Sequence, residues 1–376
     1  MEILPGSSVS SMDGRKTMKT VSCICGMLSL IASATTSMAQ QPAAKAEKKP
    51  LPLTFTQALP LPGVQGRFDH FSADPANARI YLSALGNDSV EVIDTTRGAR
   101  IQSITGLGMP QGVVYVAEFH KLFVANRVAG PHDPDEPGKG VVKVFSGSSD
   151  LKLIDTIEFH ADCDNLRYDA ADKRVYVGFG DGPTAGIGMI DAATDKRVGD
   201  FTIGVHPESF QLEKSGPRIF VNLADSNQVA VVDRKTRAVT KWPLKGLASN
   251  FPMALDEEHK RLFIGTRMPP RLAVLDTNSG NVIATLPAAS GMDDLYYDAS
   301  LKRVYVPGEG FISVFQQDDP DHYRPIASVP TTPGAHTAAF FTHVGKKAKN
   351  DTFVLAVPAR GGKVAEVWFY APAVQP

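Results

Sequence analysis

The chain has 376 residues, 39 basic against 40 acidic side chains, a formal net charge of −1 at pH 7 and 43% hydrophobic residues. So even a charge balance excludes the basic footprint of a nucleic-acid binder or of a protein held to an anionic membrane. With only 3 cysteines, a disulfide-built scaffold is excluded too, and stability has to come from packing.

Residues 1–39 carry the marks of a secretory signal peptide. Arg15, Lys16 and Lys19 form a basic start, Val21 to Ala32 an apolar stretch, and Ser37-Met38-Ala39 a small-x-small cleavage site. The apolar run is too short to cross a bilayer comfortably, so no membrane span is expected after cleavage. Cys23 and Cys25 leave with the signal, and Cys163 remains as a lone thiol. The expected location is the periplasm or the surrounding medium. Residues 40–50, rich in Ala, Lys and Pro, are expected to form a disordered linker.

From residue 51 to 376 one phrase recurs. A basic residue opens it at Arg79, Lys121, Arg174, Arg218, Arg261 and Arg303, and a seventh, degenerate copy has Thr352 in that place. Each copy holds short β-branched or aromatic runs, such as Arg79-Ile80-Tyr81-Leu82 and Val90-Glu91-Val92-Ile93, separated by turn residues. Asp94, Asp191, Asp233 and Asp276 each begin a tight turn, where an aspartate side chain caps nearby backbone N–H groups. Four strands in about 42 residues make a β-propeller blade, so the spacing predicts an all-β, seven-bladed β-propeller with four-stranded blades. The strand-like segment Leu53 to Leu59 precedes the first copy. It is expected to pair into the last blade, close the ring and hide a sheet edge.

The phrases Phe123-Val124-Ala125-Asn126, Phe220-Val221-Asn222, Arg174-Val175-Tyr176-Val177 and Arg303-Val304-Tyr305-Val306 are followed in most copies by Val-x-Val-Ile-Asp. In this the chain resembles the YVTN-repeat family of exported seven-bladed propellers over residues 51–372, although the Thr-Asn half of the phrase is mostly lost. The resemblance implies the propeller and export. That family is defined by its blades, so the resemblance implies no particular reaction.

Propeller ligands usually sit at the mouth of the central channel. Phe71, Val113, Leu166, Phe210, Met253, Leu295 and Ala338 share the core face of the innermost strands. Two residues upstream that face turns polar, at Asp69, Gln111, Asp164, Glu208, Asp293 and His336, with Phe251 in the fifth copy. His70, Asn250 and Asp294 stand beside ring positions and are counted with them. The loops after the second strands add Arg127, Arg267 and Arg360, and the acidic Asp181, Asp225 and Glu309. Two arrangements fit this set: interblade salt bridges, or a pocket in which arginines clamp an anion or carboxylates hold a cation.

His70, Asp293 and His336, with Asp69 and Asp294, come from copies adjacent around a closed ring and are the candidates for a divalent metal ion. His160-Ala161-Asp162-Cys163-Asp164 offers similar ligand types. Gly178-Phe179-Gly180-Asp181-Gly182 has no helix after it and so is no phosphate cradle. Neither a Gly-x-Ser-x-Gly elbow nor a Cys-x-x-Cys-His haem phrase occurs. The loop Arg127 to Gly140 is a long insertion on the mouth side, and His343 to Asp351 one on the opposite face.

Without a complete catalytic signature, the expected function is an exported binding protein that takes a small molecule, protein or peptide at the channel mouth. The alternative is a metal- or acid/base-assisted hydrolase or lyase of lactonase type. In it His70 or His336 would act as base, Arg267 or Arg360 would bind a substrate carboxylate, and Asp293 or Glu208 would hold the metal or orient the base.

Overall fold

A computed structural model describes residues 50–128, 139–159, 161–342, 344 and 351–373. The expected signal peptide, nearly all of the linker, His160 and most of both insertions lie outside the described residues. Among those described, the chain forms seven four-stranded antiparallel sheets arranged as a propeller ring. Blades 1 to 7 occupy residues 71–104, 110–158, 163–202, 210–243, 248–287, 296–330 and 337–372. The fourth strand of blade 7 is Leu53–Leu61, paired antiparallel with Ala365–Pro372, so the chain's two ends close the ring as expected.

The basic residue of each phrase opens the second strand of its blade, from Arg79–Ala84 to Arg303–Gly308. Two residues later stands Tyr81, Phe123, Tyr176, Phe220, Phe263 or Tyr305, and all six are at most 1% exposed. Several of these rings meet an aromatic residue of the following blade. Tyr81 stacks on Tyr115, with centroids 5.7 Å apart, Phe263 lies 5.0 Å from Tyr297, and Tyr305 stacks on Phe340 at 5.9 Å. The recurring phrase is thus the packing layer between blades, and deleting one such ring would cost about 3–5 kcal/mol.

Lys121, Arg218 and Arg261 act as staples to the next blade. Lys121 Nζ donates to the carbonyls of Ala192 and Ala193 and to Asp195 of blade 3, Arg261 reaches Pro320 O and Asp321 of blade 6, and Arg218 reaches Thr277 O of blade 5. Asp94, Asp191, Asp233 and Asp276 each accept two backbone N–H bonds within their own turns, as their sequence position predicts. Lys121→Met is expected to lower stability by about 1–3 kcal/mol, because it strands a mostly buried carboxylate and two carbonyls. Urea unfolding should show this as a lower midpoint at unchanged slope; an unchanged midpoint would mean that packing alone holds the turn.

Candidate channel-mouth site

In blades 1 to 5 the innermost strands reach the mouth through bulges. In blade 1, Asp69 N–H donates to Ser83 O while Ser83 N–H donates to His70 O, so two residues oppose one. Glu208 and Ser209 oppose Asn222 of blade 4 in the same way. In blades 2, 3 and 5 the register slips between Pro110 and Val113, Cys163 and Leu166, and Asn250 and Met253. A bulge breaks strict alternation and re-aims side chains, so Asp69 with His70, Asp164 with Asn165, and Glu208 with Ser209 all face one cavity of about 280 Å³. Gly112 makes room for this crowding: a Cβ there would meet the Asp164 carbonyl oxygen at 2.2 Å.

Seven carboxylates line the cavity, from Asp69, Asp162, Asp164, Asp181, Glu208, Asp225 and Asp293, against the three guanidiniums of Arg67, Arg127 and Arg267. Two of those guanidiniums are engaged. Arg127 Nε lies 3.4 Å from Asp162, and Arg267 sits 2.5 Å from Asp293 while stacking 3.6 Å over the Phe251 ring. Gln111 donates to Asp162 at 2.8 Å and to the Cys163 carbonyl at 3.0 Å.

At the centre, His70 Nε2 faces Asp69 Oδ1 at 3.6 Å and Asp164 Oδ1 at 3.8 Å, while its Nδ1 faces Asp294 at 3.6 Å. Burial works against a charged His70, but Asp69, Asp294 and Asp164 outweigh it and push the imidazole up to about 10. Burial, reinforced by Asp164 and Asp293, pushes Asp69 and Glu208 up to about 8 each, and burial with Asp164 lifts Asp162 to about 6. Burial away from water is the main cause of all three rises, and crowding of like charges adds to it. Burial also raises the Cys163 thiol, which is fully buried and therefore inert.

Among the expected residues, Asp69, His70, Gln111, Arg127, Asp164, Glu208, Arg267 and Asp293 come together around the cavity. Five do not. Asn250 is fully buried and spends its amide on Asn222 and the Gln228 carbonyl, so it is a strut between blades 4 and 5. Asp294 turns the other way, accepting the Ala338 N–H behind His70. Glu309 accepts the Gly334 N–H and lies 3.5 Å from His336 Nδ1, outside the cavity wall. His336 Nε2 lies 3.6 Å from Asp293, which Arg267 already holds, so the expected grouping of His70, Asp293 and His336 around one metal is replaced by His70, Asp69 and Asp164. Arg360 is exposed in a tight turn closed by its bridge to Lys363 and does not reach the mouth.

Four lining residues were not expected: Arg67, His206, Asn165 and Ser209. Asp162 was noted only beside Cys163. Arg67, Asp162 and His206 each stand two residues before a ring carboxylate, so one more step of the same alternation finds them. His206 Nδ1 bonds the Gly180 carbonyl at 2.8 Å. Ligand atoms of Asp69, His70 and Asp164 lie within 4.8 Å of one another, as do those of Asp164, His206 and Glu208.

No protein-family model and no curated protein sequence matches the chain. Among solved structures, the WD40 repeats of RRP9 superimpose with a TM-score of 0.66 at 9% identity, covering 84% of this chain and 97% of that one. A chain of a mitotic checkpoint complex matches with a TM-score of 0.65 at 12% identity, over 91% and 98% of the two chains. A chain of Kuenenia stuttgartiensis hydrazine synthase matches at 0.57 and 16%, over 67% and 84%.

Proposed function

We propose that this seven-bladed propeller, whose fold has WD40-repeat structures as neighbours, is an exported binding protein that receives a small cationic ligand at its channel mouth. Export rests on the signal-like residues 1–39, and no helix among the described residues is long and apolar enough to cross a membrane. Seven carboxylates around one cavity outnumber its three guanidiniums and the charged imidazole of His70, and a bound cation displaces the protons that burial and crowding hold on Asp69 and Glu208; this surplus of acidic groups carries the ligand class. With Arg127 and Arg267 already held by Asp162 and Asp293, an anion would find few free donors and much repulsion. The hydrolase or lyase reading has less support, because Arg267 is engaged and Arg360 does not line the cavity. A binding role also suits a rigid propeller found in a protein assembly such as the checkpoint complex.

Thermal unfolding in the presence of spermidine, putrescine, citrate and gluconate tests the proposal. The polyamines are expected to raise the melting temperature, by an amount equivalent to about 2.7 kcal/mol at a hundredfold excess over the dissociation constant, and the carboxylates to leave it unchanged. Stabilisation by citrate or gluconate and not by the polyamines would overturn it.

A further inference from the structure

We propose that the channel mouth is a metal centre in which a divalent transition-metal ion is coordinated by His70 Nε2, Asp69 and Asp164, with a second position at His206 and Glu208 that shares the Asp164 carboxylate. This rests on the mouth being a cation receptor and names the class of cation.

The separations fit an ion between the groups better than direct contact. His70 Nε2 lies 3.6 Å from Asp69 Oδ1 and 3.8 Å from Asp164 Oδ1, too far for hydrogen bonds. Bonds of about 2.1 Å at tetrahedral angles put neighbouring ligand atoms about 3.4 Å apart, so small side-chain adjustments close the shell. The imidazole is also oriented for the task. Its Nδ1 lies 3.6 Å from Asp294 on the side away from Asp69 and Asp164, so a small shift lets Nδ1–H bond that carboxylate while an ion displaces the proton at Nε2. His206 repeats the arrangement with a backbone partner, its Nδ1 held by the Gly180 carbonyl at 2.8 Å.

Two lone acceptors point to a missing ligand, and Asn165, which is no part of the acidic cluster, does so independently of it. Asp69 Oδ2 and Asn165 Oδ1 are buried without a hydrogen-bond partner, in residues only 7% and 3% exposed, and both residues line the cavity. An unpaired buried acceptor is destabilising, and a coordinated ion or its bound water would satisfy it. Imidazole nitrogen mixed with carboxylate oxygen selects zinc, cobalt, nickel or manganese over calcium and magnesium, whose sites are built from oxygen.

The full chain, stripped with a chelator and dialysed, is titrated with cobalt(II) chloride while visible d–d absorption and bound cobalt are followed. Saturation at one or two equivalents is expected. His70→Ala and Asp164→Asn are expected to abolish the high-affinity phase, and the positioning variant Asp294→Asn to weaken it by roughly 10- to 100-fold. Circular dichroism and thermal melting of each stripped variant show that it is folded. Absence of bound cobalt, or cobalt affinity indifferent to His70→Ala and Asp164→Asn in folded protein, overturns the metal centre. If spermidine still stabilises the protein in an Asp164-dependent way, only the metal is lost; if polyamines fail as well, the cation receptor falls with it.

Discussion

A chain beginning at Pro62 is expected to lose cooperative unfolding altogether, whereas one beginning at Gln40 keeps it. The strand Leu53–Leu61 is the outer strand of a blade whose other three strands lie at the far end of the sequence. Leu59 and Leu61 pack into a cluster that joins blades 7 and 1, and Leu53 into one that joins blades 6 and 7; all three are at most 1% exposed. Losing one buried leucine side chain costs about 2–5 kcal/mol. Three such losses reach the whole ~5–15 kcal/mol by which a domain is stable. Truncation also bares the N–H and C=O groups of Ala365–Pro372 as an open edge, a template for aggregation. Thermal melts followed by circular dichroism check this, with Leu59→Ala as the graded case. Equal melting temperatures for the chains beginning at Pro62 and Gln40 would mean that blade 7 stands on its own three strands.

Asp164→Asn is expected to move stability and binding in opposite directions. Asp164 faces Asp69, Asp162, Glu208 and Asp293 across one small cavity, against a long approach to His70 at 3.8 Å and the nearby imidazole of His206. An isosteric neutral amide removes that repulsion and is expected to stabilise the ligand-free protein by about 0.5–2 kcal/mol. The same change is expected to weaken cation binding by ~2–5 kcal/mol, the usual cost of truncating one member of a desolvated charge pair. A carboxylate that served only as a structural ion-pair partner would show the reverse, a destabilised protein with cation binding unaltered. Melting temperature and calorimetric titration of the two proteins at one pH and salt concentration distinguish these outcomes.

The parts of the fold legible in the sequence were those with a period. Tyr81 and its counterparts recur because every blade needs a large ring against its neighbour, and Asp94 and its counterparts because every turn needs a cap for its N–H groups. The ring Asp69, Gln111, Asp164, Glu208 and Asp293 was legible from alternation along the inner strands. Alternation fails at a bulge, which is why Asn165 and Ser209 were not expected. It also separates neighbours: Asp293 faces the cavity while Asp294 faces the back of His70, so listing the two together hid their different parts. Arg360 and Asn250 show the other limit. Whether a loop arginine bends toward the channel, or an asparagine spends its amide on a neighbouring blade, depends on partners distant in sequence, Asn222 in the case of Asn250. Arg67 and His206 were within reach of the pattern, one step beyond where the ring positions ended.

The metal centre at the channel mouth is tested most directly by diffraction from crystals of the protein soaked in cobalt(II), with data collected at the cobalt absorption edge. The account predicts anomalous density inside the cavity, within coordination distance of the Asp164 carboxylate and of His70 Nε2 or His206. Anomalous density confined to the outer surface, with none beside Asp164, would contradict it.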